Sequence, residues 1–221
     1  MGPTPTPQWI TDNDAVPPGD WDGVVPYFDP LEPADYCTIT LSGGVHKFDL
    51  GGWGGAGMQC YEYERQSTDV YNRVALRMKV SGVASSEYEA MYLGTCVLPS
   101  CDTGWEYGVI DKLEVETDKK LTASTYTGAG YASETSSLAL SADTWYDIVV
   151  QTCSAASPDG WVTVDVDGAR WITITGEGTT TYRPYEQLMI GRINDGTGED
   201  DIYFGTTSWT WLPIGPENPP N

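Results

Sequence analysis

The feature that most constrains the fold is the alternation of apolar and polar residues between positions 138 and 211. The alternation has a period of two and is broken at short intervals by turn residues. This pattern is typical of consecutive antiparallel strands with one buried face. No long segment shows the 3.6-residue period of an amphipathic helix. The sequence therefore predicts an all-β protein.

A hairpin inside this stretch can be followed residue by residue. Residues 161–166 place valines on one side of a strand and tryptophan, threonine and aspartate on the other. Asp167 and Gly168 form a two-residue turn, because glycine accepts the positive φ that a tight hairpin requires. Residues 171–174 form the return strand.

The order of these strands carries a family resemblance. A strand beginning at Trp145 leads to a V-x-V-D-G hairpin at 164–168, then to an L-x-I-G-R strand at 188–192 and a last strand with aromatic residues. This order resembles the C-terminal half of a concanavalin A-like, laminin-G-like jelly roll. The resemblance implies an antiparallel β-sandwich jelly roll, a fold that hosts lectins, glycan hydrolases, lyases and structural modules.

Length and composition indicate three segments. Residues 36–213 are predicted to form one sandwich, since 221 residues that are 40% hydrophobic suffice for one core. Residues 1–35 contain eight of the fifteen prolines, so they are predicted to form an extended N-terminal arm. Residues 214–221 form a polar C-terminal tail.

The aromatic residues of the arm need a surface to bury them, because prolines separate them too widely for a core of their own. They are Trp9, Trp21, Tyr27 and Phe28. One alternative is that the arm lies as a strap across its own domain. The other is that it docks on a neighbouring protein subunit, either a second copy or a capsid protein. We expect the second, which makes the arm an assembly device.

The charge argues against two classes of partner. The chain has 11 basic and 32 acidic residues and a net charge of −21. Such a chain repels phosphate backbones and anionic membrane surfaces, so we expect no nucleic-acid and no membrane partner. The N-terminus also lacks the basic start and apolar region of a secretory signal. Glycans stay in consideration, because the 14 tyrosines and 9 tryptophans suit surfaces that contact sugars.

The densest acidic loop is NDGTGEDD at residues 194–201. Asp195, Glu199 and Asp200, with neighbouring oxygens, can supply the roughly six hard oxygen ligands that Ca²⁺ takes. Many laminin-G-like and lectin relatives bind calcium in loops at one end of the sandwich. Ca²⁺ is therefore the candidate cofactor, and the alternative is a charged surface loop without a metal.

Three acidic residues, Glu114, Glu116 and Asp118, alternate in LEVETD and are predicted to project from one face of a strand. Glycan hydrolases use paired carboxylates as nucleophile and general acid. The hydrolases on this fold have the order Glu, Asp, Glu, from which this chain departs. The strand also runs into Asp118-Lys119-Lys120, which has the pattern of a hairpin turn, so the alternative is a solvated strand face beside a turn. The alginate-lyase relatives use Arg, Gln, His and Tyr motifs, and the single histidine, His46, matches none of them.

We therefore predict a non-enzymatic structural and binding module on a virion surface, such as a phage capsid decoration or accessory protein with a role in glycan adhesion. The missing catalytic set, the arm and the acidity favour this interpretation. The alternative is an extracellular carbohydrate-binding lectin or a glycan-active enzyme, either a glycoside hydrolase or a polysaccharide lyase. The fold and the many aromatic residues favour that alternative.

Overall fold

The computed structural model shows an all-β protein. It describes residues 8–12, 23–26, 38–49, 58–65, 71–82, 87–95, 108–127, 130–153, 160–177, 187–195 and 201–212. These segments consist of strands and the turns that join them. No helix among them is long and apolar enough to cross a membrane.

The described residues form two antiparallel sheets. The strands in chain order are β1 (Gln8–Asp12), β2 (Gly23–Pro26), β3 (Thr38–Ser42), β4 (Val45–Asp49), β5 (Met58–Arg65), β6 (Tyr71–Val80), β7 (Tyr88–Thr95), β8 (Gly108–Val115), β9 (Lys120–Tyr126), β10 (Tyr131–Ala139), β11 (Trp145–Cys153), β12 (Gly160–Val166), β13 (Ala169–Glu177), β14 (Gln187–Asp195) and β15 (Ile202–Leu212). The eight-stranded sheet has the order β13-β12-β11-β6-β15-β4-β3, and its remaining strand, β1, pairs with β15. The seven-stranded sheet has the order β10-β9-β8-β7-β14-β5-β2. The predicted all-β sandwich is confirmed.

The core lies between the sheets and consists of the side chains that alternation sends inward. On β6, Val74 and Leu76 are buried, whereas Arg77 is exposed. On β8 of the other sheet, Leu113 and Val115 are buried as well. Because both inner faces are apolar, removing them from water stabilises the packing of one sheet on the other.

The predicted hairpin is confirmed, with one difference. Asp167 and Gly168 form the turn between β12 and β13 with φ values of 50° and 78°, the left-handed region that hairpin turns use. The difference concerns Trp161 and Thr163, which lie on the side opposite the valines and are nevertheless buried. The Trp161 ring contacts the ring of Tyr71, with centroids 5.6 Å apart. The outer face of this sheet is therefore covered at that end.

Two stretches of the predicted arm are strands of the sandwich. β1 pairs with β15, and β2 pairs with β5. Each has a single partner strand in the described structure, and such edge positions tolerate the prolines of this segment. Pairing within the chain is what the strap alternative requires, whereas docking on a neighbouring subunit stays a prediction. Trp21, Tyr27 and Phe28 lie outside the described residues, as does the side chain of Trp9.

Candidate active site

The outer face of the seven-stranded sheet carries charged side chains that are shielded from water. On β8, Leu113 and Val115 point into the core, so the alternation of the strand sends Lys112 and Glu114 outward. Both side chains are nevertheless only 19% and 20% exposed. Charged side chains on an open sheet face are ordinarily solvated, so neighbouring groups shield these two. We call this shielded part of the face the recess.

The neighbouring strand β7 supplies Glu89 and Tyr92 to the same recess. Glu89 lies opposite Glu114, and Tyr92 lies opposite Lys112. Two residues three positions apart on a regular strand point to opposite faces. Here a register shift between Glu89 and Met91 marks a β-bulge, which buries Met91 and returns the strand outward at Tyr92. The bulge therefore brings both side chains to one face.

Lys112 joins the two glutamates of the recess. Its Nζ donates hydrogen bonds to Glu114 Oε1 at 2.8 Å and to Glu89 Oε1 at 3.5 Å. The Glu89 side chain is only 7% exposed, and such a buried carboxylate requires a partner because an unpaired buried charge is costly. The Tyr131 ring lies 5.4 Å from the ammonium. We call Glu89, Tyr92, Lys112 and Glu114 the Lys112 cluster.

The surroundings of the cluster determine its protonation states. Burial lowers the pKa of Lys112, but the hydrogen bonds and charges of Glu114 and Glu89 outweigh it and raise that pKa above its ordinary value. Burial raises the pKa of the Tyr92 phenol, and the charge of Glu89 and the hydrogen bond to it raise it further. At neutral pH the recess therefore contains an ammonium and a neutral phenol that donates to a carboxylate.

A strip of hydroxyl groups continues this face from β8 toward β10. Ser124 Oγ donates to Glu114 Oε2 at 3.3 Å and lies 2.8 Å from Ser133 Oγ. Thr122 Oγ1 likewise lies 2.8 Å from Thr135 Oγ1. Ser124 and Thr122 are buried, whereas Ser133 and Thr135 are exposed. Exposed hydroxyl groups both donate and accept hydrogen bonds, as the hydroxyl groups of a sugar do.

Two of the three predicted catalytic acids lie beside this recess, and the third does not. Glu114 belongs to the Lys112 cluster, and Glu116 accepts a hydrogen bond from a threonine of β9. The prediction that all three acids project from one strand is wrong, because β8 ends at Val115 and both Glu116 and Asp118 follow it. The turn predicted at residues 118–120 is confirmed. Asp118 lies in the following turn, where the backbone N–H and Nζ of Lys120 donate to it at 3.1 and 2.6 Å. Catalytic roles for Glu114 and Glu116 stay predictions.

The predicted calcium loop falls largely outside the described residues. Glu199 and Asp200 are not described, and neither is the side chain of Asp195. Asp201, at the end of the loop, pairs with Lys47 at 2.9 Å. Among the side chains that are described, no group of three or more His, Cys, Asp or Glu is placed to hold a metal ion. Calcium binding by this loop stays a prediction.

Comparison with known proteins identifies structural relatives. No protein-family model and no curated protein sequence matches the chain. An endo-β-1,4-glucuronan lyase from the fungus Trichoderma reesei matches with a TM-score of 0.64 at 13% identity, over 87% of this chain and 92% of that one. The alginate lyase Aly36B matches with a TM-score of 0.58 at 12% identity, over 93% and 97% of the two chains. The alginate lyase AlyC3 matches with a TM-score of 0.57 at 9% identity, over 79% and 78%. At these identities the matches establish a shared β-sandwich fold.

These matches contradict the prediction that the chain is not an enzyme, because these three structures, which it resembles over most of their length, are polysaccharide lyases. That prediction relied on the absence of a matched pair of acids along one strand and of a histidine motif. The Lys112 cluster is instead assembled from two strands through a bulge, and it contains no histidine. The virion and capsid interpretation receives no support from the comparisons.

Proposed function

We propose that this protein is a carbohydrate-active enzyme and, more narrowly, a polysaccharide lyase that cleaves a uronate-containing polymer in the recess of the seven-stranded sheet. The observation that carries the proposal is the Lys112 cluster. It combines a shielded cation, a buried carboxylate and a neutral phenol on one face of a fold that polysaccharide lyases share.

The chemistry of a lyase requires three functions. A cation must neutralise the uronate carboxylate, a base must remove the neighbouring C5 proton, and an acid must protonate the departing O4. Lys112 is suited to the first function. Its ammonium has three N–H donors, and Glu89 and Glu114 accept from two of them, which leaves one donor for the substrate.

Glu89 and Tyr92 are suited to the proton transfers. The C5 proton passes to the Glu89 carboxylate, and the electron pair of the C5–H bond forms the C4=C5 double bond. The C4–O4 bond breaks, and O4 takes the phenolic proton of Tyr92. The hydrogen bond between Tyr92 and Glu89 then returns the proton from the carboxylic acid to the phenolate, so both groups regain their initial states.

Digestion of defined polymers tests this proposal. Purified protein is incubated with glucuronan, polymannuronate, polyguluronate and a neutral β-glucan. We expect at least one uronate polymer to yield unsaturated chain ends, whose conjugated double bond absorbs ultraviolet light, and the neutral glucan to yield none. Absence of unsaturated ends with every polymer would contradict the proposal.

Matched variants connect that activity with the cluster. Lys112→Ala and Tyr92→Phe should each lower the rate by about 100-fold or more, since each removes a group that acts on the transition state. Arg170→Ala and Tyr71→Phe are the controls, because they remove the same kinds of group from the outer face of the other sheet, where Arg170 pairs with Asp165 and Tyr71 donates to Gln151. Parent-like activity of Lys112→Ala would refute the assignment.

A glycoside hydrolase is the second candidate, and one observation favours it. Glu89 and Glu114 lie directly opposite each other on adjacent strands and share the ammonium of Lys112. Paired carboxylates are the catalytic groups of most glycosidases. The same digests distinguish the two reactions, because a hydrolase releases reducing ends without unsaturated sugars.

A further inference from the structure

The outer face of the eight-stranded sheet carries a row in which cations and aromatic rings alternate. Strand pairing places four residues opposite one another in this order: Lys47 of β4, Tyr203 of β15, Lys79 of β6 and Trp145 of β11. We call them the Lys79 row. Adjacent strands lie about 4.8 Å apart, so the row extends about 14 Å across the sheet.

The central cation of the row contacts rings on both sides. Lys79 Nζ lies 4.1 Å from the ring centroid of Tyr203 and 5.5 Å from that of Trp145. Arg77, two residues away on β6, has its Cζ 5.8 Å from the Trp145 ring. In the part of the chain that the structure describes, neither Lys79 nor Arg77 forms an ion pair with a carboxylate. Their charges therefore remain available to an anionic ligand.

Neither the composition nor the core accounts for this grouping. The chain has 11 Lys and Arg against 32 Asp and Glu, yet Lys47, Arg77 and Lys79 lie together on one face. Trp145 is not part of the hydrophobic core and is only half-buried. A partly exposed indole that lies beside two cations of the neighbouring strand is a feature that a ligand explains better than packing does.

We propose that the Lys79 row and Arg77 form a second polysaccharide-binding surface for a uronate polymer. Sugar rings present apolar C–H faces that stack on aromatic rings, and uronate carboxylates pair with ammonium and guanidinium groups. Lys47 already pairs with Asp201, so Lys79 and Arg77 are the cations that a ligand would pair with. An anionic sugar polymer matches both the rings and these two cations, whereas a neutral one matches only the rings. The class of polymer rests on the proposed function. Because this surface and the Lys112 cluster lie on different sheets, it holds the polymer without cleaving it.

Affinity gel electrophoresis measures this binding separately from cleavage. The Lys112→Ala protein, which the proposed function makes inactive, is run in native gels that contain glucuronan, polymannuronate or a neutral β-glucan. Its mobility in each gel is compared with its mobility without polymer. We expect a uronate polymer to retard the protein and the neutral glucan not to do so.

Changes in the row should weaken the retardation. In the Lys112→Ala background, Trp145→Ala and the double substitution Lys79→Gln with Arg77→Gln should each raise the dissociation constant about fivefold. Arg170→Gln is the matched control. It removes a cation from the same sheet outside the row, where Arg170 pairs with Asp165, and should leave binding unchanged. Thermal denaturation shows whether each variant is folded. If either Trp145→Ala or the double substitution fails to fold, the other still tests the inference.

Two results would overturn the inference. One is undiminished retardation of both folded variants, and the other is equal retardation by the neutral glucan. The proposed function has its own readout, the appearance of unsaturated chain ends with the parent protein. A protein that binds polymer through the Lys79 row but produces no unsaturated ends would contradict the proposed lyase activity and leave the binding proposal standing. The two failures can therefore be distinguished.

Discussion

At the scale of single residues, Asp111 shows how a carboxylate is held between the sheets. It follows the inward alternation of Leu113 and Val115 on β8 and is 1% exposed. Its Oδ2 accepts a hydrogen bond of 2.5 Å from Thr152 Oγ1 of β11, in the other sheet. This bond connects the two sheets through the core and offsets part of the cost of removing the carboxylate from water.

We expect Thr152→Val to lower the free energy of unfolding by about 1–3 kcal/mol, because a buried acceptor loses a donor. Thr152→Ser keeps a hydroxyl group and should retain most of that stability. Thr173→Val, at an exposed position of β13, is the matched control and should change stability by less than about 0.5 kcal/mol. Urea denaturation measures all three. A Thr152→Val protein as stable as its parent would contradict a stabilising role for the bond.

The Lys112 cluster predicts a loss of stability in alkaline solution. The folded-state pKa values of Lys112 and Tyr92 are both raised, so both groups hold their protons more tightly in the folded chain than in the unfolded one. Their contribution is complete below about pH 10, where the unfolded groups are also protonated, and is lost as the pH rises through the folded-state pKa values. Tyr92→Phe should make the decline in melting temperature above about pH 10 less steep. An equally steep decline in that variant would count against this account.

At the scale of elements, the bulge of β7 determines which side chains form the recess. The register of β7 shifts against β8 between Glu89 and Met91, and against β14 between Ile190 and Ile193. Because the register of β7 shifts against both β8 and β14, the irregularity lies in the middle of the sheet, beside the Lys112 cluster. Bulges redirect side chains and are frequent next to active sites, which is the effect seen at Tyr92.

The two N-terminal strands allow a test of the arm. Deleting residues 1–30 removes β1 and β2 and leaves the edges of β15 and β5 without those partners. We expect the melting temperature to fall by several degrees, because backbone hydrogen bonds and buried area are lost. Deletion of residues 1–7 keeps both strands and serves as the control. An unchanged melting temperature combined with a smaller assembly in size-exclusion chromatography would favour docking on a neighbouring subunit over the strap.

At the scale of the whole molecule, the net charge of −21 opposes the compact state. Salt screens such repulsion beyond about 8 Å at about 0.15 M ionic strength. We therefore expect the melting temperature to rise as sodium chloride increases from about 0.01 M to about 0.15 M. Sucrose at matched osmolality should not reproduce the increase over this range. A melting temperature that is independent of salt would show that repulsion among the acidic groups is too weak to matter.

Much of the fold could be predicted from local order. The hairpin between β12 and β13 depends only on a period-two pattern and on turn residues with positive φ, which are properties of neighbouring positions. The same rule predicts that two of the four residues of the Lys112 cluster share a face, because Lys112 and Glu114 alternate with buried residues on one strand. The same rule wrongly placed Glu116 and Asp118 on the strand, because an alternating pattern does not determine where a strand ends.

The rest depended on pairing between distant parts of the chain. Glu89 and Lys112 are 23 residues apart, and Asp111 and Thr152 are 41 residues apart. Which strands become neighbours, and in which register, is selected by burial of the whole core rather than by any local pattern. The bulge that turns Tyr92 toward Lys112 arises in the same way, since one extra residue is accommodated only where both neighbouring strands allow it.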